Sequence, residues 1–201
     1  MTVEGGDDVL SSEKPLGCLA EILAGIPNTG QTGDHPYKII QPNSFSDVGE
    51  LDALETQSRE EELSPKQLLS PGDILVKRLN PSFVYVVRDE DRGAVASQNL
   101  LVVRPRPEID PLYLACLLEQ KELVGQVEHV SGTAAAIKAI SQKKLAEIMI
   151  PVVPLAEQKK LGEIWRLSRK RKALLREYIT ESDRLVAMMT SKLTTGGGEK
   201  K

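Results

Sequence analysis

Aromatic residues make up only 3% of this 201-residue chain: four Tyr, two Phe and a single Trp. Any core must therefore be built from Leu, Ile, Val and Ala, and hydrophobic residues at 40% are numerous enough to build one. Cysteine is scarce too. Cys18 and Cys116 lie far apart, each inside an apolar run, which predicts reduced packing residues and neither a disulfide nor a thiolate metal site. His35 and His129 have no His-Glu-x-x-His spacing and no Cys nearby, so no metal is expected. Gly-rich phosphate loops, Gly-x-Ser-x-Gly elbows, metal-nuclease carboxylate pairs and the Asp/Asn-Pro-Pro-Tyr of adenine methyltransferases are all missing. That predicts a protein with no cofactor that is not an enzyme. No apolar run has membrane-spanning length and the acidic first residues are unlike a signal peptide, so no membrane partner and a cytoplasmic location are expected.

The formal net charge of −3 hides a strong polarity. Residues 1–62 hold three basic and thirteen acidic residues, net −10, whereas residues 156–195 hold ten basic and five acidic, net +5. A basic rear half fits a nucleic-acid or partner surface, and equally a solvated helix face.

Read for periodicity, the chain predicts an α/β fold of the α+β mixed-sheet kind, followed by one long helix. Residues 1–14 are polar and expected to be disordered. LGCLAEILAGI (16–26) is apolar at helical and mixed spacing, and a turn-rich loop follows. KIIQPNSF reads as a short strand with an exit turn, and the acidic ELDALETQSREEEL as a surface loop or helix. ILVKRL, FVYVV and GAVASQNLLVVRP are β-branched runs and predict sheet between 74 and 104. Asp110-Pro111 should cap and open a helix reaching about Val127, and Ser141 should cap a short one. IMIPVV predicts a strand, ended by Pro151 and Pro154 in the stretch IPVVPLAEQKKLGEIW.

From about Leu155 the apolar positions Leu161, Ile164, Leu175, Tyr178, Leu185 and Met189 recur. Joined through Ser168, Arg171 and Ser182 they alternate steps of three and four, which is a heptad stripe of coiled-coil type. About 38 helical residues span roughly 57 Å, longer than one domain core can cover, so a partner helix is expected.

The order of these segments carries a resemblance. LGCLAEILAGIPNTG, LLSPGDILVKR, SQNLLVVRP, DPLYLACLLEQ and SGTAAAIKAISQKKLAEIMIPVVPLAEQKKL follow one another as in the specificity subunit of type I restriction–modification enzymes, which the chain resembles from about Leu16 to Met189. Residues 132–161 are the most specific part, with Leu-x-x-Ile-x-Ile-Pro and then Pro-Leu-x-Glu-Gln. The resemblance implies a target-recognition, DNA-binding domain at 15–154, a conserved-region dimerisation helix at 155–193 and a disordered tail at 194–201. The family's full subunit contains two such units with antiparallel helices. One unit here implies a half-subunit that homodimerises to read a bipartite site on double-stranded DNA. It also implies two protein partners, a DNA methyltransferase subunit and a restriction subunit, which hold the catalysis.

DNA reading needs cations on phosphates and forked polar groups on base edges. The expected phosphate contacts are Lys77, Arg78, Lys138, Lys143 and Lys144. The expected base or groove contacts are Lys38, Gln41, Asn43, Asn80, Gln98 and Asn99, on loops or strand edges. Ser131, Gly132 and Thr133 would bring backbone amides against a phosphate. The acidic stretch 50–62 should face away from DNA. Two other readings stand beside this one: a dimeric regulator or decoy of such a complex without its own DNA target, and the recognition domain of a fused methyltransferase–nuclease.

Overall fold

Strands alternate their side chains across a sheet, so a run that is apolar at every position can be buried on both faces. The ILV of residues 74–76 and the LLVV of residues 100–103 are such runs. The computed structural model describes residues 12–28, 33–46, 49–52, 54–79, 84–120 and 140–195. Within them β1 (Ser12–Pro15) leads into α1 (Leu16–Leu19) and β2 (Ala20–Ala24), then β3 (His35–Ile40), β4 (Glu55–Arg59), β5 (Ile74–Lys77) and β6 (Val84–Val86). After these come β7 (Val95–Ala96), β8 (Leu100–Pro105), α2 (Pro111–Leu118), α3 (Gln142–Ala146), β9 (Met149–Val152) and α4 (Leu155–Thr195).

The central sheet is antiparallel in the order β2-β8-β5-β6. On one face Ile74, Val76, Val84, Leu101 and Val103 pack against Leu16, Leu19, Tyr113, Leu114, Leu145 and Ile150 from the helices and β9. On the other face Leu75, Tyr85, Leu100 and Val102 pack against Ile40, Leu69 and Ala96. Each fully buried Leu or Ile contributes about 1.5–3 kcal/mol, so this two-sided slab dominates the stability. A second sheet, β4-β3-β7, is mixed: β3 runs antiparallel to β4 and parallel to β7. The α/β mixed-sheet expectation is met, and the long helix begins at Leu155.

Local signals act as the sequence predicts at two helix starts. The Asp110 side chain accepts from the Tyr113 amide at 2.9 Å with Pro111 at the first position, and Ser141 Oγ accepts from the Lys144 amide at 3.2 Å. Such caps are worth about 1 kcal/mol each.

Two expectations are corrected, and one segment resolves into two elements. Residues 12–14, expected to be disordered, form β1, whose register pairs Lys14 with Ile150 on β9. Leu16–Ile26 is no single element, because α1 stops at Leu19 and Ala20 turns extended to pair with Pro105. The acidic stretch is partly strand: β4 pairs with β3, and Gln57 buries its amide against the Tyr37 hydroxyl. In each case pairing with a distant strand outweighs local preference. α2 gives way to a turn at Glu119, and the continuation expected to Val127 falls from residue 121 outside the described residues.

The chain divides into two compact units, Met1–Trp165 and Arg166–Lys201. The first turns of α4 belong to the first unit. The second consists, among the described residues, of the remainder of that helix.

Candidate functional site

Residues 97–99, the turn between β7 and β8, are the point where the ends of the two sheets meet. Ile40 at the end of β3 pairs in parallel with Ala96, and its carbonyl accepts from the Ser97 amide at 2.9 Å. Two parallel strands leave a sheet at the same end, so Gln41 and Asn43 emerge beside Gln98. From β5, the Arg78 amide donates to the Asn99 carbonyl at 3.0 Å, and Arg78 Nη1 donates to the Gln98 carbonyl at 3.2 Å. After β2, Gly25 and Ile26 donate to the carbonyls of Leu100 and Ala96 at 3.2 and 2.8 Å. The Ile140 amide then donates to the Arg78 carbonyl at 2.8 Å, which anchors the start of α3 at the same place. The ends of three segments distant in sequence, those of β3, β5 and β2, thus meet at this turn, and the start of α3 is held to it through Arg78.

This geometry gathers most of the predicted contacts that fall among the described residues. Gln98 and Asn99 are exposed on the turn itself, and Lys77 and Arg78 are half-buried beside it. Asn43 is exposed just beyond β3, within the short 3-10 turn Pro42–Ser44. Gln41 is half-buried and already engaged, donating to Glu55 Oε2 at 2.8 Å. Lys143 and Lys144 lie within one helical turn of the Ile140 anchor, the first exposed and the second half-buried. Lys38 stands apart: it is exposed on β3 opposite Thr56, two residues before the strand ends. Asn80, Ser131, Gly132, Thr133 and Lys138 lie outside the described residues.

One residue at this end was missed. Gln142 donates from Nε2 to the Ile22 carbonyl at 3.0 Å, linking α3 to β2. As a polar residue just inside a helix start, it carries no sequence signal beyond a solvated position. Among the described residues no group of three or more His, Cys, Asp or Glu could hold a metal ion, and no helix is long and apolar enough to cross a membrane.

The apolar stripe of α4 lacks cover in the single chain. Leu161 is the least exposed of the six predicted positions at 46%, and Tyr178 the most at 73%. Leu167, Leu174, Ile179, Val186 and Met188 flank the stripe and are exposed as well, so it is wider than a two-position heptad seam.

Residues 29–169 match the type I restriction modification DNA specificity domain, and the chain belongs to that family. A protein of Methanocaldococcus jannaschii assigned as the type I restriction enzyme MjaX specificity subunit is 28% identical over 137 residues, covering 65% of this chain and 32% of its own length. The fold is shared with the HsdS subunit from Thermoanaerobacter tengcongensis at a TM-score of 0.64 and 15% identity, over 89% of this chain and 47% of that one. It is shared as well with the type I restriction–modification S subunit from M. genitalium at 0.63 and 15%, over 98% and 49%. A chain from work on complex assembly and conformational transition of the type I R-M system matches at 0.68 and 13%, over 95% and 51%. The chain therefore spans about a third of the curated relative and about half of the solved chains.

Proposed function

We propose that this protein reads DNA sequence for a type I restriction–modification complex. The loop ends gathered on residues 97–99 act as the reading surface, and α4 pairs with the α4 of a second copy. The observation that carries the reading is the convergence of Lys77, Arg78, Gln98, Asn99 and the Gln41–Asn43 exit on one turn. Their types divide as DNA recognition requires. Lys77, Arg78, Lys143 and Lys144 supply sequence-blind charge for phosphates, while Gln98, Asn99 and Asn43 supply forked donors and acceptors for base edges. Pairing through α4 is supported by its exposed apolar stripe. Two copies related by a two-fold axis would read the two halves of a bipartite site. A methyltransferase subunit and a restriction subunit would then carry out the chemistry on that site.

The acidic front of the chain makes the protein's own DNA affinity weak, so strong binding awaits the methyltransferase subunit. Binding to double-stranded DNA is to be measured with and without that subunit, and equal affinity would count against this account. Methylome sequencing with and without the protein should lose one split motif. Normal dimerisation with no lost motif would point instead to a regulator that has no DNA target.

A further inference from the structure

Gln158 is a polar side chain only 1% exposed, in the first turns of a helix whose later turns are largely exposed. Its amide is almost fully used. Oε1 accepts from the Asp110 amide at 2.8 Å, and Nε2 donates to the Val153 carbonyl at 2.8 Å and the Glu108 carbonyl at 3.5 Å. One side chain thus joins the start of α4 to Val153 just before it and to the loop that opens α2. One turn further on, Gly162 is buried. A Cβ there would stand 2.7 Å from Leu112 Cβ and 2.8 Å from both Asp110 Oδ1 and the Tyr113 nitrogen. Only a glycine lets the two helices approach so closely. Nearly one more turn on, Trp165 Nε1 donates to Glu119 Oε2 at 2.8 Å, at the far end of α2. The Tyr113 hydroxyl closes the group by donating to the Pro151 carbonyl at 2.8 Å.

At 3.6 residues per turn, positions 158, 162 and 165 fall within an arc of about 60° on one face of α4. Leu161 and Ile164 lie about 60–120° round the same turns from Gln158 and stay exposed. The face gripped by α2 and the face bearing the apolar stripe are therefore different faces. We infer that Gln158, Gly162 and Trp165 form a clamp that sets the roll and direction with which α4 leaves the sheet-bearing unit, and thereby the spacing between the two half-sites. The last clause rests on the reading under Proposed function. The first does not. Three anchors spread over two turns oppose both bending and rolling, whereas Pro154 alone stiffens only the two-residue link between β9 and α4. These are positioning residues, and none is placed at the reading surface.

Two measurements on the full chain separate the claims. Spin labels on the native, exposed Cys18 and on a Thr180→Cys substitution, with Cys116→Ala and dilution by unlabelled protein, report the distance between the two units. Q158M keeps the side-chain volume and removes the three amide bonds, while W165F keeps a ring and removes one bond. The expected result is a narrow distance distribution in the parent protein, a clearly broader one in Q158M and an intermediate one in W165F, with helical circular dichroism and cooperative melting retained. A folded Q158M with the parent distribution overturns the clamp, and if Q158M does not fold, an unchanged W165F overturns it.

The second measurement selects DNA from a library of bipartite sites with varied spacers, in the presence of the methyltransferase subunit. In Q158M the preference for the best spacer over its neighbours should fall about fivefold, the equivalent of one net hydrogen bond, with the half-site sequence unchanged. A changed half-site with an unchanged spacer overturns the spacing role. If the parent protein selects no split site at all, the DNA-reading proposal falls, and the distance measurement still decides the clamp.

Discussion

Replacing Gly25 with alanine tests whether the 97–99 turn is the hub of the reading surface. An added Cβ would stand 2.0 Å from the Ser97 oxygen, 2.5 Å from the Ser97 carbonyl carbon and 2.6 Å from the Ala96 oxygen. All three are backbone atoms, so no side chain can swing aside. Relief to a contact distance of about 3.5 Å requires the segments to separate by more than about 1 Å. Such a shift breaks the Gly25–Leu100 hydrogen bond at 3.2 Å and stretches the Ile26–Ala96 bond at 2.8 Å past its useful range. Two net hydrogen bonds at about 1 kcal/mol each, plus about 1–3 kcal/mol of overpacking, give a loss of about 3–5 kcal/mol. At about 2–4 °C per kcal/mol for a chain of this size, Tm falls by about 6–20 °C. Gly93→Ala is the control. Its φ of +81° carries a strain of about 1–2 kcal/mol, but no atom lies within 4 Å of the added Cβ. Thermal unfolding by circular dichroism reads the difference, and DNA binding well below the melting range should weaken in Gly25→Ala alone. Equal melting of the two variants would refute the close-approach argument.

Asp73 is nearly fully buried and accepts two hydrogen bonds from Arg104, at 2.9 and 2.7 Å, and a third from the Ser70 amide at 2.9 Å. Asp73→Ala should cost about 2–3 kcal/mol in urea unfolding, below the range for a fully buried pair because Arg104 retains some access to water, and Asp73→Asn should cost less. If α4 pairs with a second copy as proposed, Leu175→Glu combined with Leu185→Glu should yield a monomer in sedimentation without lowering the helical circular dichroism, since both side chains are exposed in the single chain. Burial, followed by the hydrogen bond to Asp91, raises the Tyr85 hydroxyl far above its ordinary value. The unfolded chain releases that proton near pH 10 while the folded one keeps it, so this contribution is full below about pH 10 and declines as pH rises beyond it. Tyr85→Phe should therefore show a shallower alkaline loss of stability than the parent between about pH 10 and 11. Identical slopes would contradict it.

Features resting on local physics were legible in the sequence. The apolar runs that became β5 and β8 announce strands buried on both faces, and the two caps at Asp110 and Ser141 announce helix starts. The three-and-four stepping of α4 marks its exposed stripe residue by residue. Part of the candidate site was also readable, because Lys77, Arg78, Gln98 and Asn99 sit where strands end and polar residues resume. Gln158 was not. In a polar first turn a glutamine reads as solvated, and its burial depends on the Glu108 and Asp110 backbone, about fifty residues earlier.

What remained hidden came from pairings between segments far apart in the chain. β1 becomes a strand because β9 lies beside it, and β4 does so because β3 does, despite the acidic residues around it. The gathering of loop ends on 97–99 is of the same kind, since backbone amides from positions 25, 26, 78 and 97 find partners that no local window contains. Side-chain periodicity is written in consecutive residues and states which faces are apolar. Which strand meets which, and which loops share an end, is settled only when those faces close on one another and every buried amide must find a partner.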